Sequence, residues 1–484
     1  MSFAFVPLYI KYLGVESYAL IGVFTSLLAV FFVLDMGIST TINREFARRA
    51  GGSAERAEMR SLMRSLEVVY WLVGLVLAAG LAAAAPVFAR DWLNADKLPV
   101  DTVVAAIRLM AMTILFRWPV TLYTGALMGV RRHVPMNAII AVNATLQGGG
   151  AVLVLLFVSP TIVAFFWWQA LVAALQTAAL VGLIWRSIRL EGDRPRFAAS
   201  MLRSILAFSA GVSGITLLSV ILTQLDKVVL SRLLPLESFG FYALATAIAS
   251  ILNVLAGAVF GGIFPAFSSA VARGAEDELR TLYHRYSQFI AVLVAPAVAT
   301  IAVFAPELLR VYVGNPQVAG QTQEVLRLLI VAYGLLAMMQ TPLALQLANG
   351  WTRLSLIKNV VAVVILMPAM ILLVSRLGMI GAGITWLLLT SGYFLIEVPV
   401  MHSRLLQAEM WRWYLVDTGR PIIVSAAVVG VASVSLPTGW SPLARLAGIA
   451  VTAGVALVAS ALAVPDLRGW VLGIVGRRGT AQAA

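Results

Sequence analysis

Two basic residues lie well inside apolar stretches of this 484-residue chain, and each has hydroxyl side chains at helical spacing beside it. Arg117 has Thr113, Thr121 and Thr124 at offsets of −4, +4 and +7, and Lys227 has Thr223, Thr216, Ser213 and Ser209 at −4, −11, −14 and −18. A cation on a hydroxyl-lined helix face is built for anions, phosphate and diphosphate above all. A guanidinium grips two oxygens at once, whereas an ammonium acts as a point charge. Arg108 and Arg327 occupy matching places at the ends of their apolar stretches, where they read as anchors or as a cationic vestibule. Asp35 and Glu397 are the acidic counterparts, Glu397 sharing a face with Tyr393, Thr390 and Trp386. A buried carboxyl whose pKa is raised exchanges protons, so these two are candidates to hold a coupling ion, H+ or Na+.

The surrounding chain fixes where this chemistry takes place. It is 61% hydrophobic and 12% charged, with many apolar runs of about 20 residues, the length that crosses a bilayer as a helix. Alternating strand patterns are missing, which excludes a barrel and leaves an all-α polytopic membrane protein. An ionisable group deep in such a span costs roughly 2.5–3.5 kcal/mol on insertion scales. The plainer reading of Arg117 is therefore an intramembrane ion pair or a snorkelling side chain, and Asp226 offers Lys227 an ordinary partner.

Apolar runs predict spans at about 18–42, 66–89, 103–129, 134–158, 161–186, 204–233, 238–268, 286–312, 325–349, 355–375, 379–402, 419–436 and 443–464. Of the 35 Lys and Arg residues, 24 fall in alternate loops, against six on the other side, namely Lys11, Arg90, Lys97, Arg232, Arg310 and Arg376. That alternation is the positive-inside pattern, so the net charge of +13 reports topology and not nucleic-acid binding. It places residues 43–65, 187–203 and 404–418 in the cytoplasm. Trp92 and Trp440 then mark outer span ends, and Trp185, Trp351, Trp411 and Trp413 inner ones. Cysteine is absent, so disulfides and thiolate sites are excluded. His133, His284 and His402 fall in or beside inner loops without metal-ligand spacing, and no phosphate-binding loop or metalloprotease motif occurs.

The first half of the chain reappears in the second. Leu13, Glu16 and Ser17 recur as Leu234, Glu237 and Ser238, and Gly129 and Arg132 as Gly350 and Arg353, every pair 221 apart. Six spans per copy is an even number, so both copies face the same way, as two lobes around a central cavity with two helices added at the C-terminus. The expected organisation is an N-lobe over 1–186, a C-lobe over 203–403 and an extra helix pair over 419–464. Span 204–233 has only the tail of a counterpart at the front, so a plan of about fourteen spans with a shortened first one, and a longer native N-terminus, is expected. Pro119 and Pro342 sit at nearly matching places and should open the helix ladder there, while Gly125/Gly129 and Gly257/Gly261 suit close helix packing.

The stretch Tyr12-Leu13-Gly14-Val15-Glu16-Ser17-Tyr18, with Leu34-Asp35-Met36-Gly37-Ile38 and Arg44-Glu45 after it, resembles the opening of Wzx-type polysaccharide flippases. These belong to the multidrug/oligosaccharidyl-lipid/polysaccharide (MOP) superfamily. Gln224-Leu225-Asp226-Lys227 followed by Leu236-Glu237-Ser238-Phe239-Gly240-Phe241-Tyr242 is similar to that family's second-lobe start. The resemblance implies a multi-pass protein of the bacterial inner membrane that translocates undecaprenyl-diphosphate-linked oligosaccharide by alternating access, without a cofactor. Its implied partners are that lipid-linked cargo, membrane lipid and other polysaccharide-assembly proteins. A lipid II flippase and a MATE-type drug/cation antiporter share the fold and are the nearest alternatives, although carboxylates and not Arg117 would dominate an antiporter's first lobe. From a different class, a membrane polysaccharide polymerase or glycosyltransferase would need a substantial loop bearing acid/base or metal-binding groups. The outer loops at about 90–102 and 313–324 are too short for one, so no enzyme is expected.

Overall fold

The computed structural model describes residues 3–33, 35, 37–49, 53–189, 197, 223–437 and 439–469. No strand occurs among them. In hydrocarbon each backbone N–H and C=O has to bond within its own segment, and the helix is the form that achieves this without a closed sheet. Twelve helices among the described residues are long and apolar enough to cross a membrane, one at each predicted span except 204–233, whose first part lies outside those residues.

The chain divides into two compact units, Met1–Gly240 and Phe241–Ala484. In the first, the elements are α1 (Val6–Leu13), α2 (Val15–Val33), α3 (Ile38–Arg48), α4 (Ser53–Val87), α5 (Val100–Arg117), α6 (Val120–Gly129), α7 (His133–Thr145), α8 (Ala151–Phe157), α9 (Ile162–Ser187) and α10 (223–233). The second holds most of α11 (Leu236–Ala249), then α12 (Ile251–Ala272), α13 (Glu276–Val303), α14 (Ala305–Val313), α15 (Pro316–Met338), α16 (Gln340–Ala348), α17 (Thr352–Leu377), α18 (Met379–Gly392), α19 (Val398–Leu405), α20 (Met410–Arg412), α21 (Arg420–Ser435) and α22 (Pro442–Ala463).

Two predicted spans are shorter than their apolar runs. The stretch 18–42 is cut where Gly37 takes φ 73°, a left-handed conformation open to glycine, and α3 leaves as an amphipathic helix with Ile38, Thr41, Ile42 and Phe46 buried. Span 286–312 breaks after Val303: Pro306 has no N–H for the Ala302 carbonyl, which accepts Arg327 Nε at 3.1 Å instead, and Pro306 falls in the first turn of a new helix, α14. Both prolines singled out in the repeat coincide with breaks, α5 giving way to α6 at Trp118–Pro119 and α15 to α16 at Met339.

In the first unit α5 packs between α4 and α9, and α3 lies against α6. Gly125 and Gly129 make that second contact: a Cβ on Gly125 would strike the Ser39 carbonyl, and one on Gly129 would come 2.7 Å from the Asn43 carbonyl. The other glycine pair behaves differently. Gly257 and Gly261 have no atom within 4 Å of a built Cβ, so close packing is not their role among the described residues. In the second unit α13 is the hub, packed against α12, α15, α21 and α22.

This contrast yields a stability prediction. Gly125→Ala forces backbone apart and should cost about 1–3 kcal/mol, whereas Gly257→Ala should be neutral or stabilise by up to about 1 kcal/mol through helix propensity. Unfolding temperatures of the purified variants should fall for the first and hold or rise for the second. Equal effects would refute the packing assigned to α3 and α6.

Candidate functional site

Arg117 is the last residue of α5, at the point where the ladder opens. Pro119 has no N–H to give the Leu115 carbonyl, and the next carbonyl, Phe116, accepts the Thr177 hydroxyl of α9 at 2.5 Å. Trp118 turns inward against Tyr70, ring centroids 5.7 Å apart, and its buried Nε1 has no hydrogen-bond partner. The Arg117 guanidinium is partly buried, and no hydrogen bond or ion pair from the described residues reaches it. Its place at a helix C-terminus suits a cation, since the helix dipole is negative there. That leaves the donor fork open for an external anion.

The threonines behave as individuals. Thr113 is buried and donates to the Leu109 carbonyl at 2.8 Å, and Thr124 to the Val120 carbonyl at 2.9 Å. Offsets of +4 and +7 from Arg117 assume one unbroken helix, and the break at Trp118–Pro119 removes that assumption. Thr121 instead donates to Asp35 Oδ1 at 2.9 Å.

Asp35 is the centre of the densest polar network in this part of the first unit. It is 7% exposed, accepts from the Tyr70 and Thr121 hydroxyls on Oδ1, and from the Ser39 hydroxyl on Oδ2 at 2.9 Å. Every one of these donors is neutral. One turn along α4, Glu67 accepts from Trp185 Nε1 at 2.8 Å and lies 3.5 Å from Arg64, while Trp71 donates to the Tyr123 hydroxyl at 3.2 Å. Glu67, Tyr70 and Trp71 were not singled out from sequence, though a Glu, a Tyr and a Trp within one turn of an apolar run were a visible signal.

The remaining candidates are distributed without converging. Lys227 lies on α10 in the first unit, its ammonium 3.2 Å from Gln224 Oε1 and 3.3 Å from the Thr223 carbonyl; Thr216 lies outside the described residues. Arg108 is exposed on α5. Arg327 is bound to Glu324 at 2.7 Å and to the Ala302 carbonyl at 3.1 Å, as an anchor would be. Glu397, in a π-turn over Tyr393–Glu397, is 3% exposed and accepts the Lys358 ammonium on both oxygens at 2.8 Å and the Gln346 amide at 2.9 Å. Lys358 also lies 4.6 Å from the Tyr393 ring centroid, and the pair lines an otherwise apolar cleft of about 300 Å³ between α17 and α18.

The repeated Glu-Ser landmark has a structural role. Glu16 is buried and accepts the backbone N–H groups of Asp96 and Lys97 at 2.7 and 3.0 Å, while its repeat mate Glu237 pairs with the Lys97 ammonium at 2.6 Å. That hydrogen bond holds the Lys97 ammonium above the ordinary lysine range. Asn94 adds a bond from the Leu236 N–H at 2.8 Å, so both copies of the landmark grip one loop, Leu93–Lys97.

The model of a family described as polysaccharide biosynthesis protein matches residues 13–317. Among solved structures, an inward-facing multidrug resistance MATE family transporter of the MOP superfamily superposes with a TM-score of 0.67 at 18% identity, covering 82% of this chain and 93% of its own. The lipid II flippase MurJ in an inward closed conformation gives 0.66 at 12% identity, over 91% and 96%. A MOP superfamily transporter from Pyrococcus furiosus gives 0.51 at 16% identity, over 83% and 91%. No curated protein matches the sequence. At these identities the likeness is one of fold, and the fold is that of the MOP transporters.

The Lys358–Glu397 pair makes a quantitative claim. Removing one partner of a buried ion pair strands the other charge and costs about 3–5 kcal/mol, whereas replacing both together costs far less. Lys358→Met should therefore destabilise strongly, and Lys358→Met with Glu397→Gln should recover most of the loss in a denaturation series. A double variant as unstable as the sum of the singles would show that the pair is not coupled.

Proposed function

The chain belongs to the polysaccharide biosynthesis protein family, and from that membership we propose that it translocates an undecaprenyl-diphosphate-linked oligosaccharide across the bacterial inner membrane for surface polysaccharide export. The observation that carries the reading is Arg117, a partly buried guanidinium inside the membrane-spanning body with no partner of its own. An unpaired cation is costly in hydrocarbon, so a guanidinium left open at a helix break is suited to an anionic ligand. A diphosphate supplies that anion, and a guanidinium meets two of its oxygens together.

Lipid II carries the same kind of headgroup, but the family match favours an oligosaccharide of polysaccharide assembly. A drug/cation antiporter would share the uncompensated Asp35 but has no use for Arg117, whose open donors select an anion. Asp35 supports a coupling role for H+ or Na+: its oxygens and that of Tyr70, which are buried, and those of Thr121 and Ser39, which are half-buried, form a set of hard ligands around a carboxylate that no cation among the described residues neutralises. Glu397 is the weaker coupling candidate, since Lys358 already neutralises it.

Flipping of a fluorescent undecaprenyl-diphosphate oligosaccharide in proteoliposomes tests the first assignment. A charge-assisted hydrogen bond is worth about 1.5–3 kcal/mol, so Arg117→Ala should slow flipping by roughly 10- to 100-fold, and Arg117→Lys by less, at unchanged membrane insertion. Parental rates in Arg117→Ala would remove Arg117 as the headgroup site. The same vesicles test Asp35: imposed H+ or Na+ gradients should accelerate the parent protein and leave Asp35→Asn indifferent. A variant still driven by a gradient would move the coupling site elsewhere.

A further inference from the structure

Two histidines near the cytoplasmic side, as the charge pattern assigns it, are both 1% exposed, and their surroundings differ in one decisive respect. His402 Nδ1 faces the Val398 carbonyl at 2.9 Å, an acceptor, and Nε2 lies 3.2 Å from the Tyr283 hydroxyl, which donates. A neutral ring satisfies both. His284 on α13 has a carboxylate on each nitrogen: Asp417 Oδ2 lies 2.5 Å from Nδ1, and Glu409 Oε2 lies 3.0 Å from Nε2. Two acceptors need two N–H groups, so the ring carries both protons or one carboxyl supplies the missing one.

Basicity and the other bonds to the two carboxylates decide between these. Asp417 is fully buried, in a π-turn over Trp413–Gly419, and its Oδ1 already accepts the Gln288 amide at 2.8 Å. Glu409 accepts Arg280 at 3.3 Å. Either placement leaves the cluster neutral, but imidazole is the stronger base, and a protonated carboxyl would weaken the bond from the Gln288 amide or from Arg280; with no proton at all, a bare nitrogen faces a buried carboxylate and one negative charge is left over. Among the described residues, Arg285, Arg404, Arg412 and Arg420 are exposed and bond neither carboxylate, Arg404 lying over the Trp351 ring and Arg420 donating to the Ala463 carbonyl. Tyr283 is engaged by His402, and Tyr414 donates to the Phe394 carbonyl. Asp466 contributes its backbone N–H to Gln288, and its carboxylate would add negative charge only. Helices α12 and α16 contain no ionisable residue. On α15 Arg327 binds Glu324, and on α22 Arg445 binds Glu307.

We propose that His284, held between Asp417 and Glu409, is a proton-binding site that clasps the C-terminal helix pair to α13. The clasp joins α13 to the turn that feeds α21, and Trp413 adds a bond to Ser287 of α13 at 3.0 Å. Arg280 is 45% exposed and Glu409 16%, so protons have a route in from the solvent side of the 404–409 loop. Raising the pH removes the proton, replaces an attraction with a repulsion, and loosens the turn. This device is independent of the cargo and of Arg117.

Full-length protein in lipid nanodiscs, labelled with 15N at its three histidines, reads the site directly. His133 is exposed, and His133→Asn leaves two signals to distinguish. The expected result is one ring with both nitrogens protonated at neutral pH, lost in His284→Gln, beside a neutral His402. Titration to alkaline pH should convert it to a ring with one N–H, and amides of 410–419 should then exchange with deuterium about tenfold faster than the base-catalysed trend alone predicts. Asp417→Asn should leave the ring neutral at neutral pH. If a variant fails to fold, the parent spectra and exchange decide alone: a neutral His284 at neutral pH overturns the proposal, and so does a 410–419 segment whose exchange ignores the titration.

Discussion

Charge inside a hydrocarbon layer has to be compensated by the protein, because water is not there to do it, and the polar side chains of this chain sort by how they meet that demand. Thr113 and Thr124 return their hydroxyls to carbonyls of their own helix stretches. Lys358 and Glu397 neutralise each other, and His284 and Arg280 together balance Asp417 and Glu409. Asp35 collects neutral hydroxyls. Among the described candidate residues of the first unit, Arg117 is the partly buried one left with its donors unused. Helix contacts follow from these solutions: Asp35 ties the start of α3 to α4 and α6, Glu397 ties its turn to α16 and α17, and His284 ties α13 to the approach to α21.

Much of this architecture was legible in the sequence, because span length and loop charge depend on composition averaged over twenty residues. All twelve described spans lie where apolar runs place them. The misses come from single residues that override the average. Gly37 ends α2 early and Pro306 splits the run 286–312, although both stretches stay apolar across the break. Trp413 reads as an inner belt residue, yet it is fully buried and bonded to Ser287, whereas Trp411 two positions earlier is 65% exposed. The clasp was beyond reach for another reason. His284 and Asp417 are 133 positions apart, no local spacing connects them, and a π-turn sets the direction in which Asp417 points.

The repeat was visible, but its two copies share a scaffold and not a chemistry. At a spacing of 221, Asp35, Tyr70 and Thr121 meet Ala256, Ala291 and Pro342, and Arg117 meets Met338. In the other direction Lys358 and Glu397 meet Asn137 and Gln176. What persists are elements that shape helices: the breaks at Trp118–Pro119 and Met339, and the Glu16 and Glu237 landmarks that hold the Leu93–Lys97 loop. The backbone devices are common to both copies, while Asp35, Arg117, Lys358 and Glu397 each stand in one copy only.

That divergence separates parts that can rearrange from parts that cannot. Thr121 donates to Asp35 but also lies 3.2 Å from the Trp118 carbonyl, so its hydroxyl keeps a partner if Asp35 changes state. A carboxyl held by such hydroxyls can gain or lose a proton or a cation while its donors fall back on local acceptors, at the modest net cost of about 1 kcal/mol for each hydrogen bond exchanged. Lys358 and Glu397 have no such alternative, because parting them exposes two full charges to an apolar cleft. The hydroxyl network of the first unit is therefore suited to respond to a ligand or ion, and the charge-balanced pair of the second to hold its helices in register while it does.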